Sequence, residues 1–261
     1  NGEISLYNVS RAGILAQTIT GGKVTDTVVQ GRFNVITAAM GAQIGGLAGS
    51  VTGAEIGSYS GVSDRHPVYI DVVISNLGNA VASASVGGLT GYLGDAKLFH
   101  TYTYSHLTFY NVDGGVKVGA VIGETERTTY GEEAYEYFFN NRYLAANVFL
   151  NDALKDGFTG VATDINDATE SKNTVQGLSY ENFIGVGSAS QAGTVNVNGS
   201  TIRTMVLDRL YSDFGIEDAE YASGTGIEAD PLQISVVTQL RAIDEYMNLS
   251  FSLIEDLDLS D

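Results

Sequence analysis

Two hexapeptides, IGGLAG at Ile44–Gly49 and VGGLTG at Val86–Gly91, limit the fold more than any other feature of the chain. Paired glycines in an otherwise strand-like run weaken a strand, so they mark a tight bend or a close backbone approach. Two looser copies, RAGILA at Arg11–Ala16 and VGAVIG at Val118–Gly123, extend the series. Aligned on the second small residue, the anchors are Gly13, Gly46, Gly88 and Ala120, in steps of 33, 42 and 32 residues. Beyond the first three anchors an aliphatic residue recurs: Val24 follows Gly13, Ile56 follows Gly46 and Leu98 follows Gly88, all at nearly the same distance. Alternating runs follow it, KVTDTVVQG, EIGSYSGV and KLFHTYTYSHLTFYNV, with the period of strands. Each repeat therefore reads as a small-residue corner, a turn and one or two strands.

Units of this size cannot bury a hydrophobic face alone and must stack on one another. The shorter steps are too small for a four-stranded propeller blade, and tight hairpin turns are scarce, VDGG at Val112–Gly115 being the best example. The pattern predicts a mainly β chain wound as a right-handed parallel β-helix, with equivalent residues piled about 4.8 Å apart. The vGGLvG signature, followed by a turn and a strand of the form xIxxSxSxxxV, resembles the GLUG repeat of bacterial surface proteins, including adhesins and regions flanking some IgA-specific peptidases. GTGIEADPLQISVVTQLRAIDEYMNLSFSLIEDLDLSD, Gly224–Asp261, is similar to the segment that opens such helices in many secreted proteins. There a G-T…D-P…I pattern precedes a short capping helix and a first strand. The expected organisation is β-helix coils over 1–124, a mixed segment and connector over 125–223, and an opening or capping segment over 224–261. Short helices are expected in the middle, where helix formers cluster at Gly131–Gly157 and Val206–Tyr221.

Charge narrows the partners. A net charge of −18 with only 13 Lys plus Arg argues against nucleic acid and anionic membrane surfaces, which need a basic patch. No cysteine is present, which removes disulfides and thiolate metal sites. The opening NGEISLYNVS has neither a basic nor an apolar leader region, so a signal peptide is expected to lie upstream or to have been removed. Phe33–Ala54 is uncharged throughout and long enough to span a bilayer, but glycines and polar residues such as Asn34, Gln43, Gly45 and Gly46 break it. A buried coil is expected there, and no membrane span.

Candidate chemistry is sparse. Asp164, Asn166 and Asp167 offer hard oxygens that could hold Ca²⁺, but no EF-hand glycine or glutamate accompanies them, and a solvated polar loop is the favoured reading. The terminal EDLDLSD carries alternating carboxylates under the same alternatives. His100 and His106 share a face if HTYTYSH is one strand, yet lie about 20 Å apart, too far for one metal. GVGSAS at Gly185–Ser190 only loosely approaches a nucleophile elbow. Asp64, Arg65, Asp71 and Lys97 could meet on neighbouring coils as a lyase or glycosidase site, and Tyr102, Tyr104 and Tyr110 could stack on sugar rings or pack as ordinary β residues. Asn8, Asn198 and Asn248 lie in glycosylation sequons.

No catalytic residue and no cofactor is assigned, with Ca²⁺ as an open option. The expected function is that of a non-catalytic extracellular or cell-surface protein, structural or adhesive; the alternative is a carbohydrate-active β-helix enzyme or glycan-binding module. Its expected partners are copies of itself, adjoining modules of a longer chain, surface glycans or host proteins. Leu240, Ile243, Phe251, Leu253 and Leu257 are the expected apolar anchors by which the C-terminal segment docks on the stack headed by Gly13, in the same or a neighbouring molecule, the latter propagating a head-to-tail filament.

Overall fold

The structure is a computed structural model that describes residues 3–36, 38–61, 64–76, 83–109, 116–126, 138–144, 148–150, 153–154, 175–178, 195–202, 205, 228–234 and 250–254. The chain divides into two compact units, Asn1–Leu178 and Ser179–Asp261.

In the first unit the chain visits four parallel sheets in a fixed cyclic order. After β1 (Glu3–Leu6), the first circuit runs through β2 (Val9–Ala12), β3 (Ala16–Thr20), β4 (Lys23–Val24) and β5 (Thr27–Val35). The second runs through β6 (Ala38–Gly45), β7 (Ala48–Thr52), β8 (Glu55–Ile56), the hairpin β9 (Ser58–Gly61) with β10 (Asp64–His66), and β11 (Val68–Asn76). The third comprises β12 (Ala84–Gly87), β13 (Thr90–Leu93), β14 (Lys97–Phe99) and β15 (Thr101–Phe109). The fourth comprises β16 (Val116–Gly119), β17 (Ile122–Thr125), β18 (Phe138–Phe139) and β19 (Asn141–Leu144). Strands of equal place pair with one another: β2-β6-β12-β16, β3-β7-β13-β17, β4-β8-β14-β18, and the long sheet β1-β5-β11-β15-β19. β20 (Val148–Leu150) also pairs with β15, β21 (Ala153–Leu154) folds back on β20, and β22 (Val175–Leu178) continues the long sheet beyond β19.

Register explains the repeat. Ala12 lies against Ile44, Ile44 against Val86 and Val86 against Val118, so the middle circuit is the longest. The first anchor is one residue later than the alignment of motifs expects: Ile14, not Gly13, stands over Gly46, and its amide donates to the Gly46 carbonyl at 2.9 Å. Counted from Ile14, Val24 stands at the same spacing as Ile56 from Gly46 and Leu98 from Gly88, and these three stack in register with Phe138. Most of the extra length of the second circuit is the β9–β10 hairpin, placed between β8 and β11.

Each glycine of the hexapeptide has a steric reason. A Cβ on Gly46 would stand 2.3 Å from the Gly88 carbonyl oxygen, and one on Gly88 would stand 2.2 Å from that of Ala120. The third glycines, Gly49, Gly91 and Gly123, press against the backbone of β6, β6 and β12, where a Cβ would come within 2.6, 2.3 and 2.4 Å of main-chain atoms. Between them Leu47, Leu89 and Val121 stack fully buried, and the corner amides of Leu47 and Leu89 donate to the carbonyls of Leu89 and Val121. Full burial of one such side chain is worth about 1.5–3 kcal/mol.

The core is a set of aliphatic columns that need not be uniform in size. Gly31, Val72 and Ser105 form one column of the long sheet, facing Ile14, Gly46 and Gly88 across the interior. A large residue on one side meets a small one on the other: Ile14 faces Gly31, and Gly46 faces Val72. Ser105 Oγ reaches across to donate to the Ala120 carbonyl at 3.1 Å.

Several expectations change. β18 and β19 continue their sheets beyond residue 124, and the described parts of Gly131–Gly157 are strands rather than helices. Among the described residues helical backbone is confined to Ile202 and Met205. Phe33–Ala54, where described, is strand and corner, and among the described residues no helix is long and apolar enough to cross a membrane. In the second unit β23 (Asn196–Val197) and β24 (Ser200–Thr201) form a hairpin about Asn198–Gly199, with φ of +51° and +87°, the left-handed pair that an Asn-Gly turn supplies. That hairpin was not anticipated, and VDGG lies outside the described residues. β25 (Leu232–Ile234) and β26 (Phe251–Leu253) pair in parallel.

Candidate functional site

Outward-facing polar side chains join one circuit to the next. Lys23, Glu55 and Lys97 stack in register on the third sheet, with Lys23 Nζ 2.9 Å from Glu55 Oε1. Burial alone would raise the Glu55 carboxyl, but hydrogen bonds from Lys23 and Ser58 and the charges of Lys23 and Lys97 outweigh it and hold the group below its ordinary value. Arg11 Nε donates to Gln43 at 2.9 Å one circuit on. Ser85 Oγ donates to Glu124 at 2.8 Å, and Lys117 pairs with the other oxygen of Glu124. Glu124 is likewise lowered, since the Lys117 and Ser85 bonds outweigh the effect of its burial. Tyr92 donates to Glu126; burial first, then that carboxylate, pushes its hydroxyl up to about 12.

A second set of polar residues shapes the corner leading into the long sheet. Asp26, His100 and Asn140 each precede a strand of that sheet with φ between +47° and +55°, a region that Asp, His and Asn enter more readily than other side chains. Asn140 Nδ2 lies 2.8 Å from His100 Nδ1 and donates to the Tyr102 hydroxyl at 3.2 Å. His66 Nδ1 lies 2.7 Å from Asp26 Oδ2, tying the β9–β10 hairpin to the first circuit. Asn141, fully buried, accepts from the Thr101 amide and hydroxyl and donates to the Leu98 carbonyl. These corners carry a readable signal, V-T-D-T, L-F-H-T and F-F-N-N, which a search for glycines passes over.

One end of this stack is formed by β1 and the first circuit. Its strands β1 to β4 have a neighbour on one side only among the described residues. The exposed large apolar side chains among the described residues are Ile4, Tyr7, Leu15, Met40, Leu253 and Ile254. Ile4, Tyr7 and Leu15 belong to this end, while Leu253 closes β26 and Ile254 follows it. Leu15 holds the place that Leu47, Leu89 and Val121 fill fully buried, and among the described residues no circuit lies over it.

The sequence-predicted sites fare unevenly. Asp164, Asn166 and Asp167 lie outside the described residues, as do Leu240, Ile243, Leu257, Tyr110 and Asn248. Of the expected anchors, Phe251 is half-buried and Leu253 exposed, both on β26. Asp71 is buried within β11, where Gln30 Nε2 donates to it at 3.2 Å, while Lys97 is exposed on a different sheet. Asp64 and Arg65 sit on β10, in the hairpin inserted before β11. Tyr102 and Tyr104 are buried, not exposed, so the packing alternative holds for them and a sugar-stacking row does not. His100 precedes β15 in the corner rather than sharing its strand with His106. Asn8 and Asn198 are exposed at left-handed turn positions. Among the described residues no three His, Cys, Asp or Glu side chains are grouped to hold a metal ion. Comparison of the chain with protein-family models, with curated proteins and with solved structures found no match.

Proposed function

We propose that this is a non-catalytic extracellular surface protein of the GLUG-repeat type, structural or adhesive, whose first unit is a right-handed parallel β-helix. The observation that carries the reading is the fixed cyclic order in which four parallel sheets are visited, with polar side chains joining circuit to circuit. The right hand follows from the strong preference of crossovers between parallel strands of one sheet. An acidic, cysteine-free, glycine-rich composition suits an extracellular setting. Among the described residues β1 to β4 are edge strands, with Ile4, Tyr7 and Leu15 exposed beside them, and such edges template pairing with further strands. Its partner is a further copy or an adjoining module of the same kind, joined head to tail.

Two measurements test this reading. Light scattering and electron microscopy on the full chain and on a chain lacking residues 231–261 should show assembly that the shorter chain loses; a full chain that stays monomeric at high concentration contradicts it. Release of reducing sugar from a panel of polysaccharides should stay at the level of the heat-denatured protein. Turnover of any of them would replace the structural role with a carbohydrate-active one.

A further inference from the structure

We infer that β26 of one molecule adds as a parallel strand to β1 of the next, with Phe251 beside Ile4, Ser252 beside Ser5 and Leu253 beside Leu6. The inference rests on the head-to-tail reading above and specifies its contact. Both strands are edges: among the described residues β1 pairs with β5 alone and β26 with β25 alone. Both leave apolar side chains uncovered on the side that faces a core. Ile4 and Leu6 continue the columns of Phe33 and Val35, which are buried, yet Ile4 is 49% exposed. Phe251 and Leu253 continue the columns of Leu232 and Ile234, also buried, yet Leu253 is 54% exposed.

The residue types then fall into place. In the stated register the columns read Leu232–Phe251–Ile4–Phe33, Gln233–Ser252–Ser5–Asn34 and Ile234–Leu253–Leu6–Val35, apolar beside apolar and polar beside polar. Exposed Ile254 comes beside exposed Tyr7. A slip of one residue would set Ser252 in an apolar column and turn Leu253 outward, because side chains alternate faces along a strand. Charge agrees as well. Residues 3–36 carry Arg11, Lys23 and Arg32 against Glu3 and Asp26, a net +1 in a chain of −18. Residues 250–261 carry Glu255, Asp256, Asp258 and Asp261 and no base. An acidic C-terminal sequence following the uncharged β26 is drawn toward residues of net positive charge, and salt screens that attraction.

The absence of cysteine makes the contact easy to trap. Ser5 is exposed and Ser252 half-buried, both in the polar column, and residues opposed on neighbouring strands lie about 5 Å apart, within disulfide reach. Under mild oxidation a mixture of the Ser5→Cys and Ser252→Cys chains should give a disulfide-linked dimer, the doubly substituted chain a ladder, and each single variant alone a monomer. No dimer in the mixture, or equal dimer from one variant alone, overturns the inference; a double variant that only closes on itself assigns the strand to the same chain and also overturns it. Leu253→Asp, added to Ser252→Cys, should cut the mixed dimer about tenfold or more with circular dichroism unchanged; full yield would deny the apolar columns. Light scattering separates the two levels: assembly without the Ser5–Ser252 link overturns this register and leaves the head-to-tail reading standing.

Discussion

At the scale of single residues the fold is governed by what fits across a narrow interior. Gly46 and Gly88 exist because the next circuit's carbonyl oxygen occupies the space of a side chain. Gly88→Ala is expected to lower stability by more than about 3 kcal/mol in urea titration, since the obstructing atom is backbone and cannot swing aside. The pair Ile14 and Gly31 is softer. A Cβ at Gly31 would meet the tip of the Ile14 side chain at 2.7 Å, so Gly31→Val alone should cost about 1–3 kcal/mol and Ile14→Gly alone a similar or larger amount. Combined, the two recreate the arrangement of Gly46 facing Val72, and a double-mutant cycle should recover at least about 1 kcal/mol of coupling. Strict additivity would mean that the two positions do not share space.

At the scale of elements, short strands are held by neighbours one circuit away, and the outward polar ladders add pH dependence. Glu55 and Glu124 have folded-state values below the ordinary 4.5. Their ion pairs therefore stabilise the fold above that pH, and the contribution disappears as pH falls through the lowered folded-state values. The urea midpoint of the native protein should drop between pH 7 and pH 3, and Glu55→Gln with Glu124→Gln should flatten that drop while lowering the midpoint mainly at neutral pH. An unchanged acid limb would show that the ladders contribute nothing. Legibility at this scale was partial. The alternating runs announced β5, β9 and β15, but β11 went unmarked, and β18 and β19 hid in a segment rich in helix formers, where Phe138 is in fact fixed by the column of Val24, Ile56 and Leu98. Local propensity is a weak prior once a stack offers a paired edge and a buried column.

At the scale of the whole molecule, the first unit behaves as a stack in which each circuit depends on those beside it. Hydrogen exchange should follow position. The amides of Leu47, Gly46 and Leu89, bonded to the next circuit and buried, should exchange slowest, and those of β1 to β4 fastest. Uniform protection along the stack would contradict that order. Residues 1–178 expressed alone should retain a β-type spectrum and a cooperative melt, because the four sheets and their core lie within that unit.

The sequence by itself determined that the chain is a repeating β structure with tight corners at Gly46 and Gly88, because a glycine demanded by sterics returns wherever the same contact returns. It also weighs against polyanionic partners, since charge is additive along a chain. Only the tertiary structure decided that Ile14 rather than Gly13 heads the first column, that Tyr102 and Tyr104 face inward to packing, and that Asp71 is buried beside Gln30 instead of lining a cleft. Each of these depends on which residue of another circuit lies opposite, and register between strands a whole circuit apart is set by the volumes and hydrogen bonds that meet there.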